Sequence, residues 1–552
     1  MDKGTMTSNP FPGGRPPQGL DGVISAMLAG DYARAAQLAN TVIALGQRHP
    51  ILYNARGLAY QQQRQFREAL GEFTQARLLA PGDPNIQNAI GVCLLNLNNP
   101  TDAIRAFETT IALDPANAQA HYRKGWTLEM LGERAEARKL FERAIELDAN
   151  HADALASLAA SVAVTGEMEL AETLARRALA VNANQSTAIV ALGMVDLESR
   201  NYAEAEKRFR RVIDDPELTF RARAVVHGLL ADALDGLDRT DEAFAAYRFE
   251  KNEMRLLYAQ SYVDDRRPRE VADEIAAFLE ASASENWHAP RETGGEAPRP
   301  AHHAFLLGFP RSGTTLLEQV LATSPQVVAL EEQDLLADMA QTYLSSEAGL
   351  RRLTALSEQE LQVLRERYWK AVGDLGIDVS GKTFLDKLPM HTIKLPLIAR
   401  LFPDARIIFA MRDPRDVLLS CYRRHFRLNP VMFEFLTLDS AAELYASTMR
   451  LGVIAREKLP LAFHEYRYED TIADFDTNAA AVCDFIGVEW SEAMRDFHRA
   501  ETGLDVQSPS RAQIRRPLNP DSVNVWRRYR EHLSPVLPLL RTWAERFGYP
   551  AE

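Results

Sequence analysis

Small and apolar positions recur along the first half of the chain at a fixed interval. Gly57, Gly91, Gly125, Ala159 and Gly193 are evenly spaced, and Ala69, Ala103, Ala137, Ala171 and Ala205 keep the same interval. So do Phe73, Phe107, Phe141 and Phe209, with Ala175 in the one gap; Pro81 and Pro115 end two of the units. This period predicts one helix pair per unit, in which small residues let two antiparallel helices cross closely and an aromatic ring fills the groove. Ala35 keeps the register upstream, although Val23 stands in the glycine place. Downstream, Ala243 follows Ala205 after a slightly longer step, Tyr247 takes the aromatic place, and Asp214 to Phe220 holds the insertion. About seven helical pairs are expected over residues 18–250.

After residue 303 the pattern changes. Ala304–Leu307 is a short apolar run that reads as a buried strand. Gly308 and Gly313 bracket a tight loop, and Thr314–Leu321 falls into helical spacing. Thr383–Lys387, Ala405–Met411 and Pro460–Tyr468 are further strand candidates, the last followed by a helix from Ile472 to Ile486. Alternating strands and helices predict a mostly parallel sheet covered on both faces. The expected fold is therefore an α-helical solenoid followed by an α/β P-loop-like domain. Ligands of such sheets bind beyond the C-terminal strand ends, where Gly308–Thr315, Asp386-Lys387 and Arg412-Asp413 all fall.

The repeat pattern matches the tetratricopeptide repeat. That resemblance implies a curved array whose concave face takes a protein or peptide, or packs on a neighbouring domain. A purely structural or oligomerising solenoid stays open, as does the oligomeric state. Residues 1–17, rich in Pro and Gly, are expected to be a disordered tail. Residues 251–302 are expected to hold two capping helices, between Asn252 and Glu280, and then a linker. Pro290–Pro300 carries three Pro and two Gly in eleven residues. His302 and His303 follow and read as surface residues.

Composition narrows the function. The 552 residues are 46% hydrophobic and 25% charged, an ordinary globular balance. A net charge of −13 argues against general nucleic-acid binding. No run of 18 apolar residues predicts a membrane span, and the N-terminus lacks the apolar region of a signal peptide. Cys93, Cys421 and Cys483 lie far apart without a CxxC, and HExxH is absent. The expectation is a cytoplasmic protein without a metal. Against this acidic background, residues 406–427 carry six Arg and two Asp.

The loop chemistry points to an anion. Backbone N–H groups of a glycine loop converge on a ligand, and the helix start adds roughly half a positive charge. Gly308-x4-Gly313 has P-loop spacing, but Thr314 stands where a nucleotide-triphosphate loop requires Lys. Arg311 brings a cation into the loop instead. Pro414 is placed as a first-turn proline, and Ser420 and Arg424, four apart, are expected to share a helix face. Glu331 and Glu332 are adjacent carboxylates, one of which should have a raised pKa; a helix N-terminal role is the alternative. A P-loop kinase or NTPase would need the missing Lys and an Asp such as Asp413 for Mg²⁺.

Pro310-Arg-Ser-Gly-Thr-Thr315 resembles the 5′-phosphosulfate loop of sulfotransferases that use 3′-phosphoadenosine 5′-phosphosulfate, most of all the protein-tyrosine and related bacterial enzymes. Arg412 followed eight residues later by Ser420 resembles their 3′-phosphate motif. The match runs from about residue 303 to 546 and places a sulfotransferase domain at 303–552. It implies a donor cradle of Arg311, Ser312, Gly313, Thr314 and Thr315, with Arg412, Ser420 and Arg424 at the 3′-phosphate. Tyr468 would lie beside the adenine or phosphate, and Ser510 and Arg516 would reach the phosphosulfate side. Glu332 would be the catalytic base and Lys387 would steady the leaving oxygen, with Arg311 assisting; His391 is the nearest alternative base. The acceptor stays open among peptide tyrosine, glycan, lipid and small molecule. A non-catalytic scaffold is disfavoured by the joint presence of Arg311, Glu332, Lys387, Arg412 and Ser420.

Overall fold

A computed structural model describes residues 19–216, 218–262, 266–291, 297–426, 428–499, 518 and 520–551. The tail expected over residues 1–17 lies outside them. The chain forms two compact units that divide after Pro216.

Among its described residues the first unit holds six successive helix pairs, from Leu20–Leu28 with Tyr32–Ala44 to Ser186–Glu198 with Tyr202–Ile213. Its repeat pattern has a steric cause. A Cβ placed on Gly57 would lie 2.5 Å from the Phe73 ring, and one on Gly91 would lie 2.5 Å from the Phe107 ring. Gly125 stands in the same relation to Phe141 and Gly193 to Phe209. The fifth unit replaces both partners at once, with buried Ala159 and Ala175. Glycine on one helix and phenylalanine on the other are thus a single packing solution.

The second unit opens with a further helix pair, Phe220–Gly236 and Thr240–Tyr262. The latter runs unbroken through the first of the two helices expected after Asn252; the second is Pro268–Ala281. Five strands follow among the described residues: β1 (His302–Gly308), β2 (Val327–Glu331), β3 (Thr383–Lys387), β4 (Arg406–Met411) and β5 (Ala462–Arg467). All pair in parallel, in the order β2-β3-β1-β4-β5. The edge strand β2 was not expected, and it makes Glu331 the end of a strand instead of the start of a helix.

Leu317, Val320, Leu321, Val482 and Ile486 cover one face of the sheet. On the other, the long helix Leu438–Lys458 comes so close that a Cβ on Gly452 would lie 2.7 Å from the Phe409 ring. Both faces being buried explains why β1 and β4 read as nearly continuous apolar runs, and why even the polar residues of β3, Thr383, Asp386 and Lys387, are buried. From β1 the chain winds outward to β2 and returns through β3; from β4 it winds to the opposite edge. The loops after β1 and β4 therefore diverge, which opens a crevice at the strand ends.

Candidate active site

The loop after β1 is forced into shape by close contacts. Gly308 has φ 150°, and any Cβ there would overlap the Ala410 carbonyl. Thr392 Oγ1 donates to the Gly308 carbonyl at 2.7 Å, and the Cys421 thiol to that of Pro310 at 3.5 Å. Gly313, φ 91°, lies under the Tyr468 ring, where a Cβ would come 2.7 Å from Cδ2. Arg311 between them has φ 72°, a left-handed conformation that a side chain adopts only when its surroundings impose it. Helix Thr314–Ala322 starts directly after the loop, with Ser312, Thr314 and Thr315 buried at its mouth.

The second wall comes from the end of β4. Asp413 accepts from the Arg415 amide at 2.9 Å and so caps helix Pro414–Arg423, with Pro414 in its first turn as expected. This helix brings Ser420 to Arg311, whose Nε donates to Ser420 Oγ at 3.0 Å. Arg412 donates to the Arg311 carbonyl at 3.2 Å, and its guanidinium lies 4.7 Å from the Tyr468 ring centre. Ser522 closes the group: its carbonyl accepts from Arg412 at 2.5 Å, and its hydroxyl is 2.7 Å from that of Tyr468. The helix ends at Arg423, and Arg424 is extended (φ −85°, ψ 147°). The expected common helix face of Ser420 and Arg424 is therefore not formed; Arg424 lies just past the helix end, and its charge still acts on Arg311.

Cations crowd here. Burial, and then the charges of Arg424 and Arg412, push the Arg311 guanidinium down to about 9. The buried Arg412 Nε has no hydrogen-bond partner among the described residues. A buried N–H without a partner beside mutually repelling cations is an arrangement that an anion relieves.

At the end of β3, Lys387 is fully buried among three carboxyls. Its Nζ lies 3.1 Å from Glu318, 2.9 Å from Glu332 and 3.7 Å from Glu331. Glu332 has φ 46°, and its amide donates to the Lys387 carbonyl at 2.9 Å, so backbone and side chain tie the same two residues. The Glu332 side chain is 38% exposed, against 13% for Glu331 and none for Glu318. Only Glu332 presents substantial carboxylate surface to an incoming group. Burial pushes Glu318 up to about 8, with the neighbouring carboxylates adding to the shift and Lys387 opposing it.

Asp386 precedes Lys387 and points to the opposite sheet face, as strand alternation requires. There it accepts from the Tyr368 hydroxyl at 2.6 Å and meets His391 Nε2 at 3.2 Å. His391, fully buried, thus belongs to a different face from Lys387 and Glu332. His303 is not a surface residue: it packs among Phe305, Tyr368, Trp369, Phe384 and Phe402, and burial pushes it down to about 3. Asp413 is committed to Arg415 at 2.7 Å. Among the described residues no three His, Cys, Asp or Glu gather as a metal site, and no helix is long and apolar enough to cross a membrane. The three cysteines are unpaired and buried.

Arg311, Ser420, Arg412, Arg424 and Tyr468 thus surround one loop, and Glu332 and Lys387 meet beside the helix that leaves it. Ser510 and Arg516 lie outside the described residues. Two contributors escaped the sequence reading. Ser522 gave no signal; Glu318 gave a faint one, as a lone charge inside the apolar run Leu316–Leu321.

Comparison with known proteins agrees with this architecture. Residues 304–492 match the model of the sulfotransferase family, and residues 54–104, 94–150 and 130–187 match the tetratricopeptide repeat. The chain carries a sulfotransferase-family domain behind a tetratricopeptide-repeat array. An uncharacterized protein of Aquifex aeolicus (strain VF5) is 25% identical over 366 residues, which cover 64% of this chain and 46% of that protein. The protein-tyrosine sulfotransferase of Drosophila melanogaster is 24% identical over 242 residues, 40% of this chain and 46% of that one. The chain thus spans about half the length of these curated relatives. Among solved structures, the sulfotransferase domain from the Synechococcus PCC 7002 olefin synthase is 23% identical and covers 46% of this chain and 98% of its own, with a TM-score of 0.32.

Proposed function

We propose that this protein transfers a sulfuryl group from 3′-phosphoadenosine 5′-phosphosulfate to an acceptor hydroxyl. The observation that carries this reading is the bond from Arg311 to Ser420, which joins the loop after β1 to the helix after β4 in one cationic crevice. A nucleoside triphosphate loop would offer Lys at position 314, and the Asp413 that a Mg²⁺ ion would use is held by Arg415. In this reading the loop residues Arg311, Ser312, Gly313, Thr314 and Thr315 hold the 5′-phosphosulfate. Arg412, Ser420 and Arg424 hold the 3′-phosphate, Tyr468 and Ser522 border the adenosine, and Ser510 and Arg516 contribute from the C-terminal side.

Glu332 is the base. It takes the acceptor hydroxyl proton while the acceptor oxygen bonds to sulfur and the sulfur–oxygen bond to the 5′-phosphate breaks, releasing adenosine 3′,5′-bisphosphate. Lys387 and Arg311 offset charge on the sulfuryl and leaving oxygens, and positioned cations supply most of the catalysis in such transfers. Glu318, largely protonated near neutral pH, orients Lys387 without cancelling its charge. The repeats bring a protein or peptide acceptor to the domain, a peptide tyrosine being the acceptor class that the Drosophila relative's name supplies.

The test is ligand-dependent stability. Adenosine 3′,5′-bisphosphate without metal is expected to raise the thermal midpoint more than ATP with Mg²⁺. An equal or larger shift with ATP would replace the sulfotransferase reading with a kinase one.

A further inference from the structure

Three successive residues at the end of the Ser420 helix and just past it are gripped by the helix pair Phe220–Gly236 and Thr240–Tyr262. Arg423 pairs with Asp235, and its guanidinium lies 5.6 Å from the Tyr247 ring and 5.5 Å from the Tyr529 ring. The Arg424 carbonyl accepts from Lys251 Nζ at 2.8 Å. His425 Nδ1 meets the Glu250 carboxylate at 2.6 Å. Glu250 and Lys251 are adjacent, 2% and 3% exposed, and 3.3 Å apart. On the facing helix Gly228 leaves the space that His425 fills; a Cβ there would overlap the imidazole and come 2.9 Å from Glu250.

An ammonium buried this deeply is costly unless its partners are well placed. A helix C-terminus offers orphan carbonyls and a negative dipole end, which is where a cation is favoured. Lys251 satisfies that condition at the residue whose side chain charge bears on Arg311. The main chain of Arg424 is fixed by the helix pair, and the charge of its side chain acts on Arg311 in the loop after β1.

We infer that Lys251 is a positioning residue for the 3′-phosphate end of the donor site: it acts through Arg424, with Glu250 and His425 holding it in place. This inference rests on the donor reading above. It makes the helix pair part of the transfer machinery, separate from any partner binding by the preceding repeats.

The experiment compares two ligands on the full chain, adenosine 3′,5′-bisphosphate and adenosine 5′-monophosphate, which differ only in the phosphate that Arg424 would meet. In Lys251→Met the affinity ratio between them is expected to fall about tenfold, the scale of a misplaced contact residue, and Lys251→Arg should restore most of it. His425→Ala, at a side chain less buried than Lys251, tests the same joint from its other end and should lower the ratio in the same direction. If both variants stay folded and keep the wild-type ratio, or lose affinity for both ligands equally, the joint is only structural and the inference falls. A wild-type protein that does not prefer the bisphosphate overturns the donor reading itself, and this inference with it.

Discussion

Lys387 and Glu332 are joined twice, through a 2.9 Å contact between ammonium and carboxylate and a 2.9 Å hydrogen bond between their backbones. The double link holds a part-exposed carboxylate just past the end of β2 while its cationic partner stays buried at the end of β3. A base needs access to the acceptor proton, and a charge-stabilising cation gains strength from exclusion of water.

Replacement of Glu332 by Gln keeps the shape and removes the proton acceptor. Glu332→Gln is expected to bind adenosine 3′,5′-bisphosphate as the parent does and to lose about 10²–10⁴-fold in turnover. The Glu331→Gln control should retain most activity. The reverse pattern in a sulfate-transfer assay would move the base by one residue.

Glu318 makes a prediction about pH. Its carboxyl is held near 8 in the folded chain, against 4.5 for an ordinary one. Between those values the folded state keeps a proton that the unfolded state has released, so stability falls as pH rises through this window. Asp416, pushed up to about 6 mainly by burial, acts in the same direction but only over the lower part. Thermal midpoints from pH 6 to 8 should therefore decline in the parent and decline less in Glu318→Gln, which mimics the protonated acid. Turnover of that variant at neutral pH should be preserved. Parallel midpoint curves would remove Glu318 from the account.

Much of this was legible in the sequence because it is local. The helix pairs follow from a register kept at a constant interval, β1 and β4 are apolar runs that end in Gly308 and Met411-Arg412, and β3 is the short stretch Thr383–Lys387. What escaped depends on the third dimension. Edge strand β2 is no shorter than β3, but its burial pattern is mixed, so neither a two-residue period nor a fully buried run marks it. Arg424 was assigned to a helix face because periodicity alone does not say that the helix stops at Arg423. Glu318 on the loop helix meets Lys387 at the end of β3, and Lys251 meets Arg424 across four strands in chain order. Neither pairing leaves a trace in spacing.

The repeat register carries its own test. A methyl group on Gly91 would collide with Phe107, so Gly91→Ala is expected to cost about 1–3 kcal/mol through overpacking. Phe107→Ala alone should cost about 3–5 kcal/mol through the cavity it leaves. The double variant reproduces the Ala159–Ala175 arrangement of the fifth unit and should be more stable than the sum of the two losses implies. Denaturant unfolding of the four proteins measures the coupling; strict additivity would mean that the two positions are independent.

The last prediction separates the roles of the helices that precede the sheet. A chain starting near residue 218 keeps the pair Phe220–Gly236 and Thr240–Tyr262, and with it the grip on Arg423, Arg424 and His425. A chain starting near Pro298 loses that pair, leaves Tyr529 without Asp235 as its hydrogen-bond acceptor, and exposes the apolar ring of Tyr422 that stacks on Phe244 at 5.5 Å. The longer truncation product is expected to bind adenosine 3′,5′-bisphosphate like the full chain and to sulfate a small phenol, while losing activity on a macromolecular acceptor if the first six helix pairs recruit it. The shorter product should aggregate or bind the bisphosphate poorly. Thermal shift with the bisphosphate, run beside transfer assays on both acceptor types, distinguishes the two roles. Full donor affinity in a soluble chain from Pro298 would show that the helix pair contributes nothing to the donor site. Full activity on the macromolecular acceptor in the chain from 218 would remove recruitment from the first six pairs.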